Sequence, residues 1–584
     1  MTGTAARPMA PMHGASPNAP ASPPPTNRRS LDEAVLRLRD GASRFAALTL
    51  RDRIALINAM QAGYLEVGAD SVRASCLAKG MTPGTPPEGE EWNSVWMPVR
   101  HLRLLRESLT ALERSGNTPL GKLGHTADGR LTAQVFPTNA IDGMLFNGVR
   151  EDVHFQQGVT PEAVEATRAG FYKRPAHRGK VALVLGAGNI AAIPAMDVLT
   201  KMFNEGKVCL LKMNPVNAYL GPFLERAFAA AIAQGFLAVV YGGSDEGQYL
   251  VDHAGVDEIH ITGSDRSFDA IVWGPPGPER EARKASNDPR LKKPISAELG
   301  NVSPVLVVPG PYSERQLFYQ AEDIVSSMVF NASFNCNVDK VIVTPKGWAQ
   351  RDTFLRGVEQ ALSRAAVRRA YYPGAAERWH SYTDGHPGLQ TFGGATADGV
   401  PWALIPGVDA ERPERGFSTE SFSPILYETS VGSSDAVEFL DAAVRFANER
   451  LWGTLSAGLV VHPKTTKDTR LGVAVERAIA GLQYGSVCLN VWSGFSFAFA
   501  SPPWGAYPGS TQVDIQSGCG WVHNTPMLEG IEKAVLRYPI TMMPKASTFV
   551  SHRTAHRLMA RMTRLDAEAK WSRVPGVLAA AMRA

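Results

Sequence analysis

Between residues 180 and 262 the sequence alternates short, unbroken apolar runs with longer stretches of helical period, and this alternation constrains the fold more than any other feature. The runs at 181–185 and 208–211 have no polar partner at every second position, which is the pattern of strands buried on both faces. A helical pattern at 190–204 joins them, so a right-handed βαβ unit is expected. The motif continues through a helix at 221–234, a strand at 236–241, a helix at 248–253 and a strand at 258–262, which predicts a doubly wound parallel sheet. A stretch rich in proline and charge at 274–293 interrupts the series and reads as a surface insertion. A second α/β series follows, with strands at 304–308, 341–344 and 459–461 between helical patterns at 314–330, 351–365 and 434–448.

The remaining features narrow the class. Residues 1–30 are rich in Pro, Ala and small polar residues and read as a disordered tail. From Ser30 a capping-box spacing to Glu33 opens a largely helical region that reaches residue 115. The formal net charge of +4 is spread along the chain, which argues against a nucleic-acid partner. The five cysteines are widely spaced, so neither a disulfide framework nor a zinc site is expected, and His552 with His556 lacks a third ligand. No apolar run reaches the roughly 18 residues of a membrane span. The N-terminus lacks the apolar core of a secretory signal, and a cytoplasmic location is expected. The basic amphipathic pattern of Arg553, Arg557, Arg561 and Arg564 opposite Leu558, Met562 and Leu565 reads as a helix packed on its own domain.

The chemistry-bearing residues fall within and between the two series. Gly186-Ala-Gly188-Asn-Ile-Ala191 follows a strand and opens a helix, as in a phosphate-binding turn, but Lys212 stands where the ordinary dinucleotide fingerprint expects an acid. Cys336 lies downstream of Glu298. A thiolate can attack a carbonyl carbon, and a carboxylate can activate water to release the resulting thioester. A dinucleotide can accept the hydride expelled between those steps. Such a thiol must be partly ionised, so a cofactor charge or a helix N-terminus is expected to lower its pKa. The bland alternatives are a buried inert Cys336, a turn Asn189 and a solvated strand-end Glu298.

Asn189, Lys212, Thr262-Gly263-Ser264, Glu298-Leu-Gly, Cys336 and Glu420-Ser-Phe422-Ser-Pro, in that order, resemble the landmarks of the aldehyde dehydrogenase superfamily over roughly 140–510. The resemblance implies an α/β fold of two doubly wound domains plus an oligomerisation β-arm. It implies Cys336 as nucleophile, Asn189 as oxyanion donor and Glu298 as the base for thioester hydrolysis. It further implies NAD or NADP as cofactor, held by Lys212, Gly263, Ser264, Glu420 and Phe422, with no metal. The implied domains are a cofactor domain over 31–298, a catalytic domain over 299–509, an arm over 510–550 with a segment near 125–155, and a helical extension over 551–584. A homodimer or homotetramer acting on an aldehyde follows from the same resemblance. The alternatives are a coenzyme A-acylating dehydrogenase and an inactive structural homologue. Departures occur at Phe268 and Asn301, where the family has glycine, at Pro215, where it often has an acid, and around Cys336 itself. Trp492, Phe495, Phe497 and Phe499 suggest an apolar or aromatic substrate; an extended 495–499 segment would put its three rings on one face.

Overall fold

The computed structural model describes residues 16, 18–174, 177–394 and 399–583. Of the tail expected over 1–30, residues 1–15 and 17 lie outside the described residues. Residues 18–27 are tied to the body rather than free: Thr26 N donates to Tyr241 O and Tyr241 N donates to Thr26 Oγ1, both at 3.0 Å. The first helix, Arg28–Ala46, starts ahead of the expected Ser30 cap, because Asn27 Oδ1 accepts from Ser30 N at 3.0 Å while Glu33 pairs with Arg29. Leu50–Ala78, opened by a Thr49–Asp52 capping box, and Glu88–Ser115 complete the helical start.

The cofactor-type sheet has six strands, in the order Gly518–Cys519, Ile295–Glu298, Glu258–Thr262, Val181–Leu185, Val208–Lys212 and Leu237–Val240. All pair in parallel except Gly518–Cys519, which runs antiparallel to Ile295–Glu298. From Val181–Leu185 the chain winds outward in one direction and then returns to the other side, so the strand order reverses between Val181–Leu185 and Glu258–Thr262. Parallel sheets bind ligands at the carboxyl ends of the strands flanking such a reversal. Asn189 follows one of these strands and Gly263-Ser264 follows the other.

An eleven-stranded sheet forms the second layer system. Its centre holds Ser303–Val307, Asp339–Pro345, Ile425–Val431, Ser456–Val460 and Ser486–Leu489 in parallel, buried by helices on both faces. Strands from the segments expected to form an oligomerisation arm extend this sheet. Ile531–Arg537 pairs in parallel with Ser486–Leu489 and antiparallel with Arg150–Phe155, which in turn pairs with Leu131–Phe136. Both edges of Ile531–Arg537 are thereby hydrogen-bonded to strands of the same chain. The helix Ala555–Glu568 packs back across Glu88–Ser115, and Val574–Ala581 packs against Ala555–Glu568. Among the described residues no helix is long and apolar enough to cross a membrane.

Candidate active site

Cys336 lies in a loop between the helix Glu314–Val329 and the strand Asp339–Pro345, and the loop enters it through a strained turn. Asn331, Ala332 and Ser333 all have positive φ, at 52°, 55° and 69°. Non-glycine residues stay in that region only where their surroundings over-determine them. Here Asn331 Nδ2 donates to Phe334 O (2.9 Å) and Asn189 O (3.1 Å), Lys79 Nζ donates to Asn331 Oδ1 (2.9 Å), and Ser333 Oγ donates to Ser423 O (3.1 Å). Tyr371 OH, which is 3.0 Å from both Asn331 Oδ1 and Asn189 O, completes the clamp. The Asn189 side chain joins the same loop, its Nδ2 donating to Phe334 O at 3.1 Å. Lys79, Asn331 and Tyr371 escaped the sequence reading, since nothing local marks them as neighbours of the thiol.

The Cys336 thiol is partly accessible and lies 3.7 Å from Asn335 Oδ1. Burial pushes its pKa up, the charges of Glu420 and Glu298 add to the rise, and Lys340 opposes it. No helix begins at Cys336, so the expected lowering by a helix N-terminus does not occur. Glu420 accepts from Asn301 N at 3.3 Å and lies 3.5 Å from Lys340 Nζ. Its carboxyl sits against Gly300, where a Cβ would come within 2.1 Å of Glu420 Oε2. Burial raises the Glu420 pKa, against the pull of Lys340. Phe422, at φ 41°, packs on Phe334 and Tyr372 with ring centroids 5.9 and 5.0 Å away.

Glu298 ends its strand with its carboxyl buried beside Asp197 and His260, the donor atoms of the three lying within 4.8 Å of one another. Burial and the charge of Asp197 hold it well above the usual carboxylate range, and its Oε1 has no hydrogen-bond partner. Gly263 N donates to Glu298 O at 3.0 Å, tying the two expected functions together. Ser264 caps the helix Asp265–Trp273 through Ser267 N at 3.2 Å. Phe268 is wholly buried in the domain core, so its bulk points away from that helix mouth. Lys212 ends its strand facing the side of Glu246, and burial lowers its pKa. Asn301 has become a structural anchor, donating to Ser303 Oγ and Ser456 O, both at 2.9 Å.

On its open side Cys336 borders a cavity of about 520 Å³ lined by Met97, Ile193, Phe330, Trp492, Phe495 and Phe497. Its far wall is Leu558, Met559, Met562 and Leu578 of the C-terminal helices. Residues 494–499 form a short helix rather than an extended segment, which separates the three phenylalanines. Phe495 and Phe497 face the cavity, whereas Phe499 is fully buried and stacks on Phe136 with centroids 3.9 Å apart.

No protein-family model matches the chain. Over 247 residues, 39% of this chain, it is 25% identical to the geranial dehydrogenase of Castellaniella defragrans, and the match spans 48% of that protein. The chain thus covers about half the length of that curated relative. A solved NADP-dependent glyceraldehyde-3-phosphate dehydrogenase from Bacillus halodurans, complexed with NADP, is similar with a TM-score of 0.59 at 17% identity, covering 88% of this chain and 91% of that one. A mutant of aldehyde dehydrogenase C from Pseudomonas syringae, in complex with NAD+ and octanal, is similar with a TM-score of 0.60 at 16% identity, covering 91% and 94%. These structural likenesses establish the fold.

Proposed function

We propose that this divergent member of the aldehyde dehydrogenase superfamily oxidises an apolar aldehyde to its carboxylic acid with NAD+ or NADP+. The observation that carries the reading is Cys336 at the wall of an apolar cavity, with the Asn189 amide hydrogen-bonded into the thiol loop. Similarity to a geranial dehydrogenase and to a solved structure with octanal bound supports an aldehyde of this kind.

The crevice at the strand reversal fits a dinucleotide. A Cβ on Gly263 would meet nothing nearer than Ile261 at 3.5 Å, so the backbone there is open to a ligand, and Ser264 begins a helix beneath it. Lys212 would reach the adenosine ribose, Glu420 the nicotinamide ribose, and Phe422 would support the nicotinamide ring. When bound, the nicotinamide accepts a hydride. Choice between the cofactors leans towards NADP, supported by Pro215, which offers no carboxylate to repel a 2′-phosphate, and by Lys212 nearby.

The chain's own groups then act in sequence. The Cys336 thiolate adds to the aldehyde carbon, while Asn189 Nδ2–H and the Cys336 backbone N–H donate to the oxyanion. After the thioester forms, Glu298 takes a proton from the attacking water, the carboxylic acid leaves, and Cys336 regains its thiol. A homodimer or homotetramer is part of the same proposal, resting on the superfamily resemblance.

Cys336→Ser should abolish aldehyde-dependent NAD(P)H formation while cofactor binding persists. Glu298→Gln should leave an acyl adduct on Cys336, visible by mass spectrometry. Deacylation of Glu298→Gln at the parent rate would refute the hydrolytic role, and turnover by Cys336→Ser would refute the mechanism.

A further inference from the structure

We propose that the N-terminal segment 18–27 is a strap over the adenosine end of the cofactor crevice, one that lifts to admit the dinucleotide and closes over it afterwards. The inference rests on the proposed cofactor and its place at Lys212, and it adds an element that the superfamily landmarks do not include.

The strap runs along the carboxyl ends of neighbouring strands, the edge of a parallel sheet where ligands bind. Val181–Leu185, Val208–Lys212 and Leu237–Val240 lie side by side in that order, and they lead into Gly188-Asn189, residues 215–217 and Tyr241 respectively. Pro20 and Ser22 border a cavity of about 190 Å³ together with Gly188, Asn189, Pro215 and Asn217. Further along, Thr26 exchanges two hydrogen bonds with Tyr241, each at 3.0 Å. Tyr241 follows Val240, the register partner of Lys212, so this anchor lies one strand away from the lysine proposed for the adenosine ribose. At the other end Ser16 N donates to Ala78 O at 3.2 Å and Ala19 N donates to Ser16 O at 2.8 Å. An extended proline-rich chain rises about 3.1 Å per residue, so residues 20–25 reach roughly 19 Å, more than the two strand spacings of about 4.8 Å that the strap crosses.

Between its anchors the strap is held by little. Pro20, Pro23, Pro24 and Pro25 have no N–H to donate, and among the described residues neither Ala21 nor Ser22 makes a hydrogen bond. Release therefore needs only the anchors to break, and the prolines make the freed piece stiff. Beneath it lies a group suited to a hydroxyl-bearing ligand. Asn217 is 3% exposed; its Nδ2 donates to Ala187 O at 2.8 Å, while its Oδ1 is buried without a partner. A buried acceptor left unpaired is costly, and a ribose hydroxyl is a donor that would satisfy it. Lys212 is 8% exposed and makes no ion pair among the described residues, so the crevice is closed at this end and a dinucleotide reaches the lysine only after chain above it moves. The cavity persists with the strap in place, which marks the strap as a cover rather than a plug.

The test is the rate of NADPH binding and release, followed by its fluorescence in rapid mixing, in the full chain and in a chain that begins at Thr26. That deletion spares the first helix, since Asn27 still caps it through Ser30 N and Arg28 still lies over the Tyr249 ring at 4.0 Å. A cover that must lift slows entry and exit alike, so the shortened chain should bind and release NADPH about tenfold faster or more, with Kd changed far less. Binding by the shortened chain alone also supports the strap. Equal rates in the two chains overturn the strap and leave the proposed function standing. Faster entry with unaltered release does the same, because it marks a competitor for the crevice instead of a cover. No binding by either chain overturns the proposed function, and the strap with it. Thr26→Pro keeps the full chain but removes both groups that bond to Tyr241, and it should speed entry and exit, whereas Thr26→Ser should keep the parent rates. Parent rates in Thr26→Pro overturn the strap even where the shortened chain fails to fold.

Discussion

Asp566→Asn is expected to loosen the C-terminal wall of the cavity without touching the thiol. Asp566 Oδ1 accepts from Arg100 NH1 at 3.0 Å, Arg103 Nε at 3.1 Å and Arg103 NH2 at 2.7 Å, and its Oδ2 accepts from the Trp96 indole. Both guanidiniums are almost fully buried. Arg100 retains the bidentate Asp142, at 2.8 and 3.0 Å, but Arg103 keeps only the more exposed Glu107. Removing one partner of a buried pair costs about 3–5 kcal/mol, because the stranded charge remains in low dielectric. Since Asp142 still neutralises Arg100, the lower end of about 3 kcal/mol applies. At about 1.4 kcal/mol per decade, local opening of Ala555–Glu568 should become roughly a hundredfold more frequent. A global melting point is a poor probe in a chain of several cores, so the assay is hydrogen exchange resolved over 555–581. KM for long aldehydes should rise with it, because Leu558, Met559 and Met562 line the cavity. Unchanged protection across those helices would refute the claim that this ionic cluster holds them down.

Three further outcomes follow from the same geometry. Alkylation of Cys336 by iodoacetamide should be slow at neutral pH and rise about tenfold per pH unit, because burial and the charges of Glu420 and Glu298 push its thiol up, and NADP+ should accelerate it; a plateau below pH 8 would contradict this. His101, whose ring nitrogens are buried without partners, is lowered by burial to about 3, so stability present above the unfolded value near 6.5 is lost as pH falls; the loss is about 3 kcal/mol at pH 4, and His101→Leu should flatten the acid limb of a denaturation series. Phe497→Ala should raise kcat/KM for bulky aldehydes relative to short ones, and an unchanged ratio accompanied by lower stability would return Phe497 to a purely packing role beside Trp504 and His523.

The sequence carried the layer structure because the buried strands Val181–Leu185 and Val208–Lys212 are continuous apolar runs whose meaning is local. The order of site landmarks was legible for a related reason, since each lies at a strand end or turn whose position the alternation predicts. What failed to show was set by tertiary contact. The 495–499 alternation reads as extended, yet Phe499 is drawn into a stack on Phe136 and the segment coils into a turn of helix that ends at Ala500, φ 58°. The Leu558, Met562 and Leu565 stripe announced a buried face without saying that the face closes over the thiol's cavity. Asp197 and His260 are 63 residues apart in the chain and carry no motif; only the parallel packing of one strand beside one helix brings them to Glu298.

On the proposed function, the surroundings of Cys336 imply an order of events. Burial chiefly raises the thiol, the charges of Glu420 and Glu298 add to the rise, and Lys340 opposes it. A nucleophile held protonated by burial and by acidic neighbours is protected from oxidation and stray electrophiles. It needs a positive charge to become reactive, and Glu420 occupies the position proposed for the ribose next to a positively charged ring. Engaging the ribose would turn Glu420 from a group that opposes the thiolate into one that holds its counter-charge in place. On the proposed function, the same carboxylate would suppress the thiol before the cofactor arrives and support it afterwards, and cofactor binding before aldehyde is the expected productive sequence.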